Sequence, residues 1–269
     1  MKRIGYVHIP KCGGSAFSDG IESALNLSKT HISVIVDKET TKLWSLKRSS
    51  IAYKFASNSI YLHGHISYKE MVLLKRDVVF TVLRDPVARV ISAYTYNLNR
   101  ASNPISLKND PTLKRYRDMS FIDFLKIVKP NGIFRNLVGD VLKKNQLGFY
   151  CSRYNPDLLL DLNFTNSILD ALRRFDYIFD SDLSRAASVL SEDNITPAFK
   201  VHRLNISKQV EINIGGSRGE LEEALLHHTW IDDFVYRSAM DLFPHYVTKK
   251  PMLISDAYDS IAKNFNIID

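Results

Sequence analysis

The stretch "RIGYVHIPKCGGSAF", Arg3 to Phe17, sets the architecture of the chain. Its apolar run from Ile4 to Ile9 is short and continuous, as in a strand buried on both faces of a parallel sheet. Pro10 and Lys11 follow, then Gly13 and Gly14, then a hydroxyl at Ser15 where a helix can begin. Ala16, Gly20, Ala24 and Leu27 recur at three and four residues, so the segment reads as strand, turn and helix, the helix running from about Ser15 to Leu27. The chemistry of the turn suits an anion. Lys11 supplies a point charge, the glycines let backbone approach a ligand closely, and the amides of residues 13 to 16 converge where the helix dipole favours negative charge. Ser15 adds a hydroxyl donor. The lysine precedes the glycines and the turn is shorter than the GxxxxGK(S/T) loop of nucleoside triphosphatases, so a phosphate cradle is expected without ATP as its obvious occupant.

Further along, strand signals alternate with helical or mixed segments. "ISVIV" (Ile32 to Val36), "SIYLH" (Ser59 to His63), "DVVFTVL" (Asp77 to Leu83) and "YIFD" (Tyr177 to Asp180) read as strands. Residues 116–128, 133–144, 167–175 and 219–242 read as helical, and the polar stretch "NRASNPISLKNDPT" (Asn99 to Thr112) as a loop. Such alternation predicts an α/β fold with a central, mostly parallel sheet flanked by helices in three layers, here as one domain over residues 1–269.

A second stretch, "VVFTVLRDPVARVISAYTYN" (Val78 to Asn97), repeats the strand-to-helix transition. Arg84 and Asp85 stand at the strand's carboxyl edge, Asp85 as a possible N-cap and Pro86 at a first helical position. Val87, Val90, Ile91 and Tyr94 form one helical face, with Arg89, Ser92 and Tyr96 on another. Arg84 and Ser92 can therefore reach one anion, at the sheet edge where open α/β folds gather their ligands. A structural ion pair of Arg84 with Asp85, or one made by Arg89, is the competing reading of this stretch.

Composition narrows the partners. The chain has 269 residues, a formal net charge of +7 and 45% hydrophobic residues, enough for a substantial core and biased toward anionic ligands. Two cysteines, Cys12 and Cys151, stand far apart with no metal-ligand spacing around them, so neither a disulfide framework nor a metal site is expected. The first apolar run is far too short for a signal-peptide core or a membrane span of roughly 20 residues, which favours a cytoplasmic protein without a transmembrane segment. The basic residues show no tight cluster with interleaved aromatics, so nucleic acid is not expected as a partner.

Between the two anion motifs lies "YLHGHISY" (Tyr61 to Tyr68), a strand end with histidines on either side of Gly64. Histidine is the side chain best suited to general-base work near neutral pH.

Taken together, "HIPKCGGSAF" resembles the 5′-phosphosulfate loop, and "VLRDPVARVISAY" the 3′-phosphate motif, of the sulfotransferases that use 3′-phosphoadenosine 5′-phosphosulfate. The wording is most similar to the carbohydrate branch that includes heparan sulfate 2-O-sulfotransferase. The resemblance implies that Lys11, Cys12, Gly13, Gly14, Ser15 and Ala16 grip the phosphosulfate, while Arg84 and Ser92 grip the 3′-phosphate. It also implies that His65 is the general base, with His63 as an auxiliary or alternative, and that Lys11 assists the departing phosphate. A looser echo, "RFDYIFDSDLSRAASVL" followed by "KVHRLNISK", adds Asn205, Ser207 and Lys208 as donor-closing residues. The implied reaction transfers a sulfuryl group by in-line displacement to a hydroxyl of a carbohydrate or glycolipid, without a metal. Two departures stand out: Cys12 where many relatives have threonine, and residues 132–155, which lack the acceptor segment seen in several relatives. Near Lys11 and a helix N-terminus the Cys12 thiol could be acidified, or it could simply pack. A P-loop kinase or nucleotide hydrolase, and a noncatalytic binder of acidic polymers, are the competing function classes.

Overall fold

A computed structural model describes residues 2–26, 32–35, 56–138, 150–151, 154–202 and 211–268. Five strands, β1 (Ile4–Val7), β2 (Ile32–Ile35), β3 (Tyr61–Gly64), β4 (Val78–Val82) and β5 (Tyr177–Phe179), form a wholly parallel sheet in the order β2-β3-β1-β4-β5. β1 is central because its residues are apolar without alternation; every residue of β1 and β4 is buried. In register, Tyr6 of β1 lies opposite His63 of β3 on one side and Phe80 of β4 on the other. The chain leaves β1 toward β2 and β3 but leaves β4 toward β5, so the order of winding reverses between β1 and β4. A crevice outside the carboxyl ends of those two strands is where such sheets bind ligands.

Helix α1 (Gly14–Ala24) covers the Tyr6 face, with Phe17 packed edge-on against Tyr6 and Phe80. The opposite face meets α2 (Tyr68–Leu73), whose Met71 lies directly against Gly5. These layers surround one core. A second core gathers Val90 and Tyr94 of α3 (Pro86–Ala101), Phe121 and Phe124 of α5 (Phe121–Ile127), and Leu225 of α9 (Arg218–Leu242). Between α3 and α5 lies α4 (Pro104–Asn109), and between α5 and α9 lie α6 (Gly132–Leu137), α7 (Leu162–Leu172) and α8 (Leu183–Glu192). The chain closes with α10 (Ala257–Asn264), and a small parallel pair joins β6 (Glu211–Asn213) to β7 (Asn266–Ile268).

Several expectations need correction. The stretch 99–112 is not a loop: α3 continues to Ala101, and Asn103 Oδ1 then accepts from the Ile105 and Ser106 amides at 2.9 and 3.1 Å to start α4. Pro104 at the first helical position fits this start, and a 3-10 turn, Pro111–Tyr116, follows. The helix expected over 116–128 begins only at Phe121, where the Ser120 hydroxyl caps the Asp123 amide at 3.1 Å. That expected over 167–175 begins earlier, at Leu162, capped by Asp161. Helix 133–144 is seen as α6 up to Leu137, and residues 139–144 lie outside the described residues. The long helix α9 matches its expected span almost residue for residue, starting at a capping box formed by Ser217 and Glu220.

Candidate functional site

The turn after β1 is held by its own backbone. The His8 amide donates to the Gly64 carbonyl at 2.9 Å, extending the β1–β3 ladder, and the Cys12 amide donates to Ile9 at 3.3 Å. Lys11 and Gly13 both take positive φ, 70° and 85°, which turns the chain sharply into α1. Among the described residues no side chain caps α1, and its first-turn amides add to the dipole at a face that Ser15 shares. Gly14 is closely approached: a Cβ there would run into the His8 ring unless the ring shifted.

Lys11 extends from this turn across α3, its Nζ 3.7 Å from the centre of the Tyr96 ring. Burial, reinforced by the Arg84 charge, lowers its pKa to about 8. Cys12 behaves differently from an activated thiol. It is buried, its Sγ lies 3.9 Å from the Pro10 carbonyl, and burial raises its pKa to about 11 despite Arg89 and Arg84 nearby. With its amide spent on Ile9, Cys12 packs the turn and has little left to offer a ligand.

The second motif arrives from β4. The Leu83 amide donates to Phe179 at 2.7 Å, continuing the pairing to β5, and Arg84 emerges at the sheet's edge. Its Nη1 comes within 3.5 Å of the Lys11 carbonyl, and burial lowers its pKa from that of an exposed guanidinium. Asp85 caps α3 as expected, Oδ1 accepting from Ala88 at 2.6 Å, while Oδ2 accepts from the Met252 amide at 2.6 Å. Two helical turns on, Ser92 joins Arg84 in lining a cavity of about 380 Å3. Ser260 and Asn264 of α10 and Phe265 complete one of its walls. These three were not singled out from the sequence. Their only sequence trace is helical spacing near the end of the chain, with Ala257 and Ile261 turned inward.

The two histidines of β3 and the residue after it occupy unlike surroundings. His63 is buried against α1, with Nδ1 3.0 Å from Ser18 Oγ, which in turn lies 3.0 Å from Tyr61 Oη. Its Nε2 stands 3.0 Å from Glu22 Oε1, out of line for a hydrogen bond. Protein groups thus face both ring nitrogens. His65 is exposed, and its Nδ1 lies 2.8 Å from the His8 carbonyl oxygen. A carbonyl only accepts, so Nδ1 carries the hydrogen and Nε2 keeps the lone pair. His8, which the sequence reading passed over, stacks on His65 with ring centres 4.9 Å apart.

Arg89 and Tyr94 turn away from the turn and its cavity. Arg89 Nη2 pairs with the buried carboxylate of Asp232 at 3.3 Å, and the Tyr94 hydroxyl donates to the Met119 carbonyl at 2.7 Å. Asn205, Ser207 and Lys208 lie outside the described residues. A larger cavity, about 560 Å3, is lined by Lys126, Arg135, Cys151, Tyr154, Glu223 and His227, among others, and by none of the residues of the two motifs. Lys11, Arg84 and a helix N-terminus converge instead at the turn after β1. Among the described residues no three His, Cys, Asp or Glu side chains gather as a metal site, and no helix is long and apolar enough to cross a membrane.

A family model described as "Sulfotransferase family" matches residues 2–146, which takes in the Lys11 turn, both histidines of "HGH" and the Arg84 motif. No curated protein matches the chain.

Proposed function

Because the chain belongs to the sulfotransferase family, we propose that it moves the sulfuryl group of 3′-phosphoadenosine 5′-phosphosulfate to a hydroxyl of a carbohydrate or glycolipid. The observation that carries this reading is the meeting of the two anion motifs, Arg84 Nη1 lying 3.5 Å from the Lys11 carbonyl at the point where the sheet's winding reverses. The donor set fits such a molecule: backbone amides and an ammonium at the α1 turn, a guanidinium and a serine hydroxyl around a neighbouring cavity. When bound, the donor supplies the sulfuryl group and a bisphosphate leaving group. The carbohydrate branch of the resemblance and the net charge of +7 favour an anionic or sugar-bearing acceptor.

In this reading the α1 amides, Ser15 and Lys11 hold the phosphosulfate, and Arg84 and Ser92 hold the 3′-phosphate. His65 takes the acceptor's hydroxyl proton at Nε2, the nitrogen left with a lone pair by the His8 carbonyl. Lys11 keeps its ammonium at neutral pH and offsets charge growing on the departing phosphate oxygen. His63, enclosed by Ser18, Tyr61 and Glu22, anchors β3 to α1 and leaves the proton transfer to His65. Positioning and charge compensation do the work, as in phosphoryl transfer.

Calorimetry with adenosine 3′,5′-bisphosphate tests the donor site. Binding is expected that Arg84→Ala weakens at least about tenfold, the loss of a hydrogen bond to a charged group, with ATP binding more weakly. No binding of the bisphosphate, or a preference for ATP with magnesium, would reject the assignment in favour of nucleotide phosphotransfer.

A further inference from the structure

An aromatic column runs from the sheet's interior to the surface. Phe80 of β4 stacks on its register partner Tyr6 with centres 4.9 Å apart and planes 12° apart. Tyr6 is followed at 5.6 Å by His8, two residues on and on the same face, and His8 at 4.9 Å by His65. Phe80 and Tyr6 are buried, His8 is half-buried, and His65 is exposed. An exposed imidazole on a strand end ordinarily samples several rotamers. Here it is held on two sides, by the His8 carbonyl at Nδ1 and by the His8 ring against its face.

The same His8 ring touches the anion turn. Its edge lies so close to Gly14 that a Cβ there would overlap it. One side chain thus lies against both the first residue of α1 and the imidazole after β3. Its own chemistry suits the position: burial, His65, His63 and Lys11 lower its pKa to about 3, so it adds no charge beside a protonated neighbour.

We propose that His8 is a positioning residue whose ring fixes the orientation of the His65 imidazole and its distance from the first turn of α1. The inference rests on the reading of His65 as the base, but the geometry it claims is measurable without turnover. The backbone carbonyl survives any substitution at position 8, so the ring's contribution is separable from it. Without the ring, the His65 side chain rotates off the carbonyl and reverts toward the mixture of tautomers of a free imidazole.

Nitrogen-15 NMR of the whole protein, with the His65 signals assigned by their loss in His65→Gln, reads the tautomer directly. The wild-type protein is expected to show His65 protonated at Nδ1 near neutral pH. His8→Ala should move the signals toward the Nε2-protonated form, and His8→Phe, which keeps a ring to stack on, should restore the wild-type pattern. Identical His65 signals in wild type and His8→Ala would overturn the proposal. So would a change in His8→Ala that His8→Phe fails to reverse.

A second arm uses adenosine 3′,5′-bisphosphate calorimetry. Gly14→Ala should weaken binding about tenfold by overpacking the turn, and adding His8→Ala should recover most of that loss. A double variant as weak as Gly14→Ala alone would show that His8 does not set the turn. If the wild-type protein bound no bisphosphate, the sulfotransferase reading would fall while the tautomer experiment still judged His8.

Discussion

Arg89 Nη2 lies 3.3 Å from Asp232 Oδ2, joining α3 to α9 inside the protein, where Asp232 is fully buried. The carboxylate also accepts from the Ile133 and Phe134 amides at 3.0 and 2.8 Å, so it caps α6 while neutralising the arginine. Burial raises the Asp232 pKa, and the guanidinium and both amides oppose that rise. Breaking such a pair from one side leaves a stranded charge. Asp232→Ala is expected to cost about 3 kcal/mol or more in urea denaturation. A loss below about 1 kcal/mol, the range of a surface pair, would contradict the enclosed geometry.

Lys11 should make ligand binding sensitive to mild alkali. Its pKa is lowered from that of a free lysine to about 8, by burial first and Arg84 second, so the ammonium dominates at neutral pH and is lost as pH climbs through about 8. An anion that needs the ammonium loses affinity in that window. Calorimetry with adenosine 3′,5′-bisphosphate from neutral pH to about 9 should show this fall, and Lys11→Met should bind weakly with a flatter profile. A level wild-type profile would put Lys11 outside the anion's reach.

His63 and His65 should separate cleanly by the property each variant damages. His65→Ala is expected to keep bisphosphate affinity and thermal stability while losing on the order of a hundredfold to ten-thousandfold in turnover. Turnover is read as sulfate transferred from labelled donor to a mixed glycan acceptor. His63→Ala empties a buried position contacting Ser18 and leaves Glu22 without its neighbour, so its first effect should be a lower melting temperature. Full activity in His65→Ala would remove it from the mechanism.

The two cysteines should be inert in the folded protein. Burial raises both Cys12 and Cys151 to about 11, so little thiolate exists at neutral pH. Iodoacetamide followed by mass spectrometry should label neither until denaturant is added. Rapid labelling of Cys12 in the native state would reverse the conclusion that it only packs the turn.

Much of the sheet and the turn was legible because their causes are local. The run Ile4 to Ile9 carries its burial in its composition, Pro86 and Asp85 announce a helix start, and glycines beside Lys11 announce a sharp, close-packed turn. Other features depend on partners far along the chain. Nothing near residue 8 reveals that its ring packs on Gly14 and His65, because that contact needs β3 to pair with β1. Nor does the local sequence show that Arg89 is claimed by Asp232, or that Ser260 and Asn264 line one cavity with Arg84. The polar stretch 99–112 misled for a related reason: its proline and asparagine start a helix as readily as they fill a loop, and only packing against α3 decides.

The Met252 amide bound to Asp85 has a bearing on proteolysis and on synthesis at the ribosome. The sheet, the Lys11 turn and the start of α3 all come from the chain's earlier part, yet α10, after this tether, supplies part of the lining of the Arg84 cavity. A nascent chain can therefore form the sheet and the Lys11 turn before it owns a finished pocket. A single nick between α9 and α10 should loosen that part of the lining and abolish ligand protection while the five-stranded sheet stays folded, so loss of binding would precede loss of that sheet.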